Sequence, residues 1–161
     1  MSFTRPSYTG SHDENERLLL GQLRALTDGE TNRIANLANA SALLNTYLRD
    51  INWVGFYLLE GEELVLGPFQ GLPACVRIPL GRGVCGASAL RRETIVVPNV
   101  HEFPGHIACD AASNSEIVVP LFSAQDELVG VLDIDSPLKG RFGDEDARFL
   151  ERFNELLSAS L

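Results

Sequence analysis

Apolar residues in the first third of the chain recur at three- and four-residue steps. "DENERLLLGQLRALTDG" places Leu18, Leu19, Leu23 and Leu26 on one stripe and predicts a helix that ends at Gly29. "ETNRIANLANASALLNTYLRD" repeats the pattern through Ile34, Leu37, Ala38, Ser41, Leu44, Tyr47 and Leu48, which predicts a longer amphipathic helix seated on a sheet. From residue 51 the period changes to two. "INWVGFYLLE" and "EELVLGPFQG" predict a hairpin about Gly61, with Trp53, Gly55 and Tyr57 on one face and Val54, Phe56 and Leu58 on the other. After a short "CVRIPL", the run "GRGVCGASALRRE" predicts a tight glycine loop entering a short helix, whose first amides face whatever binds there. "TIVVP", "SEIVVPLF" and "ELVGVLDIDSP" read as strands, and "FGDEDARFLERFNELLSASL" reads as a capped C-terminal helix.

This order lacks the regular alternation of a doubly wound parallel sheet. It predicts an α+β domain: a central antiparallel sheet with the N- and C-terminal helices on one face and loops on the other. Residues 13–161 form that domain, and residues 1–12, rich in Ser, Thr, Gly and Pro, form a loose, flexible arm. The segment "NVHEFPGHIACDAASN" is a long loop for a compact domain, and such loops are more often functional than not. A site is therefore expected on the loop face.

Composition narrows the class. The 161 residues are 45% hydrophobic and 22% charged, as in an ordinary globular protein. A net charge of −9, with Arg91 and Arg92 as the densest basic spot, argues against a nucleic-acid partner. No apolar run approaches a bilayer span and the first residues lack the apolar core of a signal peptide, so no membrane partner and a cytoplasmic location are expected. Three cysteines without a secretory signal point to free thiols, a redox site or metal ligands.

Cys75, Cys85 and Cys109 each lie at a loop junction, and their spacing fits neither a CxxC motif nor a zinc finger. A lone cysteine is commonly a small buried hydrophobe, but three at loop junctions point to function. Cys85 opens the short helix, where the N-terminal amides would stabilise a thiolate. His101 and His106 share the long loop with Cys109, and with Cys85 they outline a mixed metal site. Their spacing matches no standard ligand set, so no metal is expected. Glu116 opens one strand, while Asp133 and Asp135, two apart, share a face of another; Leu132 and Ile134 point the other way. Three enclosed carboxyls would raise the pKa of at least one, whereas solvated strand residues, with Asp135 capping the turn at "DSP", are the plain alternative. Trp53 is either a core filler or the apolar wall of a small-molecule pocket, with space left beside it by Gly55. Asp110 would raise the pKa of the adjacent Cys109 if it turned inward, and it is expected to point away.

Together, "NWVGFY", "LGPFQGLPACVRIPLGRGVCGASA", "VPNVHEFPGHIACDAASNSEIVVPLF" and "GVLDIDSP" closely resemble the free methionine-(R)-sulfoxide reductases, which are single GAF domains. The resemblance implies that Cys109 is the nucleophile, Cys85 the resolving cysteine and Cys75 a secondary thiol. It implies that Trp53 meets the methyl group on the substrate sulfur, and that Glu116, Asp133 and Asp135 bind the ammonium and supply a proton. Free methionine-(R)-sulfoxide is the implied substrate and thioredoxin the implied reductant, with no metal, flavin or nicotinamide cofactor. Pairing of two such domains through their helices into a homodimer is a further expectation. The alternatives are a non-catalytic GAF sensor for a small ligand and a metal-binding regulator using Cys85, Cys109, His101 and His106. A chain of this length without an attached effector favours the enzyme.

Overall fold

Six strands form one antiparallel sheet in the computed structural model, which describes residues 2–161. The elements in chain order are α1 (His12–Thr27), α2 (Arg33–Tyr47), β1 (Trp53–Glu60), β2 (Glu63–Gln70), β3 (Arg77–Pro79), α3 (Gly83–Arg91), β4 (Ile95–Val97), β5 (Ser115–Phe122), β6 (Leu128–Ser136) and α4 (Asp144–Ser158). Their spatial order is β3-β2-β1-β6-β5-β4, so the β1–β2 and β5–β6 hairpins meet along β1 and β6 at the centre. The architecture is the α+β arrangement that the change of period predicts.

Alternation along the strands makes two cores. Val54, Phe56, Ile117, Leu132 and Ile134 face α1, α2 and α4, where Leu19, Leu37, Leu44, Phe149 and Phe153 complete the larger core. Trp53, Tyr57, Val118 and Val131 face the other way, under α3 and the loops. Each fully buried side chain of this size contributes about 1.5–3 kcal/mol. The helix starts are fixed locally: Ser11 Oγ accepts from the amide of Glu14, Asn32 Oδ1 from that of Ala35, and Asp146 Oδ2 from that of Gly143.

Tertiary packing rotates the buried faces of two helices away from the predicted stripes. Leu18 is exposed, whereas Glu16 is buried, because α4 packs on α1 and its Arg152 reaches Glu16 at 2.7 Å. On α2, Ile34 and Ala38 are exposed, while Asn36 is buried with its amide donating to the carbonyls of Glu30 and Ser160. The N-terminal arm is tethered at Tyr8, which donates to Gln22 Oε1 at 2.6 Å and whose ring meets that of Tyr47 edge-on, and at Gly10, whose amide donates to Asn15 Oδ1 at 3.0 Å and whose carbonyl accepts from Asn15 Nδ2 at 3.1 Å. Among the described residues no helix is long and apolar enough to cross a membrane.

Candidate active site

Strand register assembles the acidic group. Trp53 on β1 pairs with Asp135 on β6, and Asp135 pairs with Glu116 on β5. In the next row on the same face, Gly55 pairs with Asp133, and Asp133 with Val118. Neighbouring strands lie about 4.8 Å apart, so the three carboxyls stand side by side on the face away from the terminal helices. Leu132 and Ile134 point into the opposite core, as their alternation requires.

The helix α3 covers these acids and brings Cys85 over them. It can sit close to β3 because residue 86 is glycine: a Cβ there would lie 2.6 Å from the Pro79 carbonyl oxygen. Cys85 Sγ and one oxygen each of Glu116 and Asp133 all lie within 4.8 Å of one another. Asp133 Oδ1 is sealed from solvent with no hydrogen-bond partner.

Side chains in β1 and just before it hold both remaining cysteines above this floor. Trp53 Nε1 donates to the Leu72 carbonyl at 3.1 Å, and the Tyr57 hydroxyl donates to the Cys75 carbonyl at 2.8 Å. These two bonds anchor the β2–β3 loop. Asn52, just before β1, anchors the long loop: its Nδ2 donates to Asp110 Oδ2 at 2.9 Å and to Ser113 Oγ at 3.0 Å. The Asp110 carboxyl also accepts from the Ala112 amide at 2.8 Å, so its hydrogen bonds run to Asn52 and to its own loop. Between the anchored loops, Cys75 and Cys109 form a disulfide with their Cα atoms 5.8 Å apart. Cys109 is exposed at the mouth and Cys75 is half-buried.

The disulfide corrects the expected pairing of Cys109 with Cys85. Cys85 is a free thiol, 4% exposed, held against the acids by the first turn of α3, while the two anchored loops deliver Cys75 to Cys109. The expected stabilisation of a Cys85 thiolate by helix amides is also overturned. Burial pushes this thiol well above its ordinary value, and the charges of Asp133, Glu116 and Asp135 push the same way. A third correction concerns Gly55. The space it leaves is filled by Phe69, which stacks on Trp53 at 5.1 Å between ring centroids. Trp53 is at once a core residue and part of the cavity wall.

With the disulfide closed over it, the cavity keeps about 40 Å³ of free volume. Its walls bring together Trp53, Cys85, Cys109, Glu116, Asp133 and Asp135, and Cys75 closes the disulfide above. The metal set of Cys85, Cys109, His101 and His106 is not assembled. Cys109 is in the disulfide, and His101 is exposed and bonded to Asn114 Oδ1. His106 does line the cavity, its Nε2 3.9 Å from Glu116 Oε1, with a pKa lowered first by burial and then by His101. Tyr57 and Arg82 also line the cavity and were not singled out from the sequence. The signal for Tyr57 is its place on the face of Trp53, two strand periods further on; Arg82 has none beyond its place at the helix start.

A GAF-domain family model matches residues 22–161. A free methionine-R-sulfoxide reductase of Escherichia coli is 61% identical over 128 residues, covering 80% of this chain and 77% of the relative. The chain belongs to the GAF-domain family of free methionine-R-sulfoxide reductases. Solved free methionine-R-sulfoxide reductases superpose closely. That of Neisseria meningitidis, in complex with its substrate, has a TM-score of 0.90 at 42% identity, over 98% of this chain and 95% of that one. The fRMsr of Staphylococcus aureus, in its reduced form, has a TM-score of 0.88 at 52% identity, over 100% and 99%.

The acids hold their protons to higher pH than free carboxyls do. Burial raises Glu116 well above its ordinary value, with the charges of Asp133 and Asp135 adding to it; burial and the Asp133 charge raise Asp135 likewise. Asp133 is also raised by burial, while hydrogen bonding to Glu116 and Cys85 pulls it back. Because the folded chain holds these protons more tightly than the unfolded chain, their contribution to stability is full below the ordinary carboxyl range. It is lost as pH rises through the raised folded values. Glu116→Gln is therefore expected to raise the melting temperature at neutral pH by about 3 °C and to flatten its decline with pH. Melting curves of both proteins across acidic to neutral pH check this; a lower melting temperature at every pH would contradict it.

Proposed function

We propose that the chain reduces free methionine-(R)-sulfoxide to methionine, with Cys109 as nucleophile and Cys75 as its resolving partner. The observation that carries this reading is the Cys75–Cys109 disulfide at the mouth of a cavity whose floor is three protonatable carboxyls. The relatives named as free methionine-R-sulfoxide reductases support the same substrate.

The chemistry requires a thiolate, a proton donor and a second thiol. The Cys109 thiolate attacks the sulfoxide sulfur, and the sulfur–oxygen bond breaks as the oxygen takes a proton and passes to Cys109 as a sulfenic acid. Methionine leaves, two electrons richer. A carboxyl is fit to give that proton at neutral pH only if its pKa is raised, and Glu116 is so placed. The Cys75 thiol then attacks the sulfenic sulfur, expelling water and closing the disulfide. An external dithiol, for which thioredoxin is the fitting class, restores both thiols by exchange and becomes the disulfide itself.

Substrate selection follows from charge. Asp133 and Asp135 face the ammonium of an amino-acid zwitterion, and Arg82 at the cavity wall faces its carboxylate. A methionine inside a peptide presents neither charge. Trp53 supplies the apolar wall against the methyl group on sulfur, its indole fixed by the Leu72 bond and the Phe69 stack. Tyr57 acts on position: its hydroxyl holds the Cys75 carbonyl.

An assay of the separate R and S epimers, free and peptide-bound, with thioredoxin and its reductase, tests the reading. Methionine is expected from the free R epimer alone. Equal reduction of a peptide-bound sulfoxide would contradict it, as would binding of the free sulfoxide without turnover, the behaviour of a sensor.

A further inference from the structure

We propose that Cys85, Glu116 and Asp133 form a site for a thiophilic divalent cation, Zn²⁺ or Cd²⁺, and that the bound cation reversibly excludes the substrate from the cavity. The inference rests on the reading of that cavity as the sulfoxide site and adds a means of regulating it.

Three donors of suitable chemistry converge there. Cys85 Sγ and single carboxylate oxygens of Glu116 and Asp133 lie within 4.8 Å of one another, and all three side chains are buried. Tetrahedral Zn²⁺ with bonds of about 2.0–2.3 Å holds its ligands about 3.5 Å apart, so side-chain adjustments of about 1 Å complete the set. The second observation is Asp133 Oδ1, which belongs to a side chain 6% exposed and has no hydrogen-bond partner. A buried carboxylate oxygen left unpaired is costly, and a cation would satisfy it.

Charge points the same way. Among the described residues, the ion-pair partners of Glu116, Asp133 and Asp135 amount to His106 alone, 3.9 Å from Glu116. One sulfur with two oxygens selects a thiophilic ion over Mg²⁺ or Ca²⁺, which demand six or more oxygen ligands. The fourth position opens into the cavity and suits a water molecule. On coordination Cys85 and any ligand carboxyl that is protonated release their protons to solvent, and no electrons move. The ammonium of the amino acid calls on the same carboxylates, so cation and substrate exclude one another.

The oxidised chain isolates this site. With Cys75 and Cys109 joined, Cys85 is the one thiol left of three. Titration of the oxidised full chain with Cd²⁺ is expected to produce the ultraviolet sulfur-to-cadmium charge-transfer band, saturating at a single ion per chain. Zn²⁺ should abolish the band by displacement, Mg²⁺ at the same concentration should leave it unchanged, and excess free methionine sulfoxide should weaken Cd²⁺ binding. Cys85→Ser should lose the band, and Glu116→Gln should weaken binding by about tenfold or more. Absence of the band in the wild-type chain, its survival in Cys85→Ser, or Cd²⁺ affinity indifferent to methionine sulfoxide would overturn the proposal. The wild-type titration decides the case if a variant fails to fold. A missing band removes the cation site whatever the cavity binds, whereas a band indifferent to methionine sulfoxide removes only its coupling to the substrate, so the two failures are read separately.

Discussion

Cys109→Ser is expected to lower the reduction of free methionine-(R)-sulfoxide by about 10³-fold or more, to the background of the assay. The reaction moves an oxygen from one sulfur to another, and a serine hydroxyl at neutral pH neither ionises nor carries that oxygen as a reducible acid. The loss cannot be assigned to unfolding in advance, because Cys109 is exposed at the cavity mouth and removing its sulfur leaves both cores intact. Methionine release per chain, with circular dichroism of the variant beside it, measures the effect. Turnover near the wild-type rate would remove Cys109 from the chemistry.

Cys75→Ser separates the first half of the cycle from the second. The Cys109 thiolate and the acids remain, so the reduced variant should release about one methionine per chain and then stop. With no thiol beside the sulfenic acid, dithiol-driven cycling should fall by about 10²-fold or more, and excess oxidant should carry Cys109 on toward the sulfinic state. The contrast between a preserved first turnover and lost cycling is the signature, read by quenched single-turnover assays and by cycling with thioredoxin. Sustained cycling in Cys75→Ser would transfer the resolving role to Cys85.

The acids were legible because a strand side chain's face is set by parity: Trp53, Glu116, Asp133 and Asp135 fall on one face once the strands are identified. Register was not in the pattern. That Glu116 stands opposite Asp135 rather than one row along depends on the β5–β6 turn and on pairing with β1. The choice between Cys75 and Cys85 was less legible still. It depends on Tyr57 and Trp53 gripping the β2–β3 loop and on Asn52 gripping the loop of Asp110, contacts that span from 18 to 61 residues of sequence. Cys85 resembled a reactive thiol because it opens a helix; the helix buries it against carboxyls, and burial prevails over the amides. The helix stripes failed in the same way, since Glu16 is drawn inward by Arg152 and Asn36 by two carbonyls.

Disulfide mapping after a single turnover tests the account most directly. The fully reduced chain receives one equivalent of free methionine-(R)-sulfoxide, is trapped by alkylation, and is digested for mass spectrometry. The account predicts stoichiometric methionine, a peptide pair linked through Cys75 and Cys109, and Cys85 recovered as a free thiol. A Cys85–Cys109 link, or methionine formed with all three cysteines still alkylatable, would contradict it.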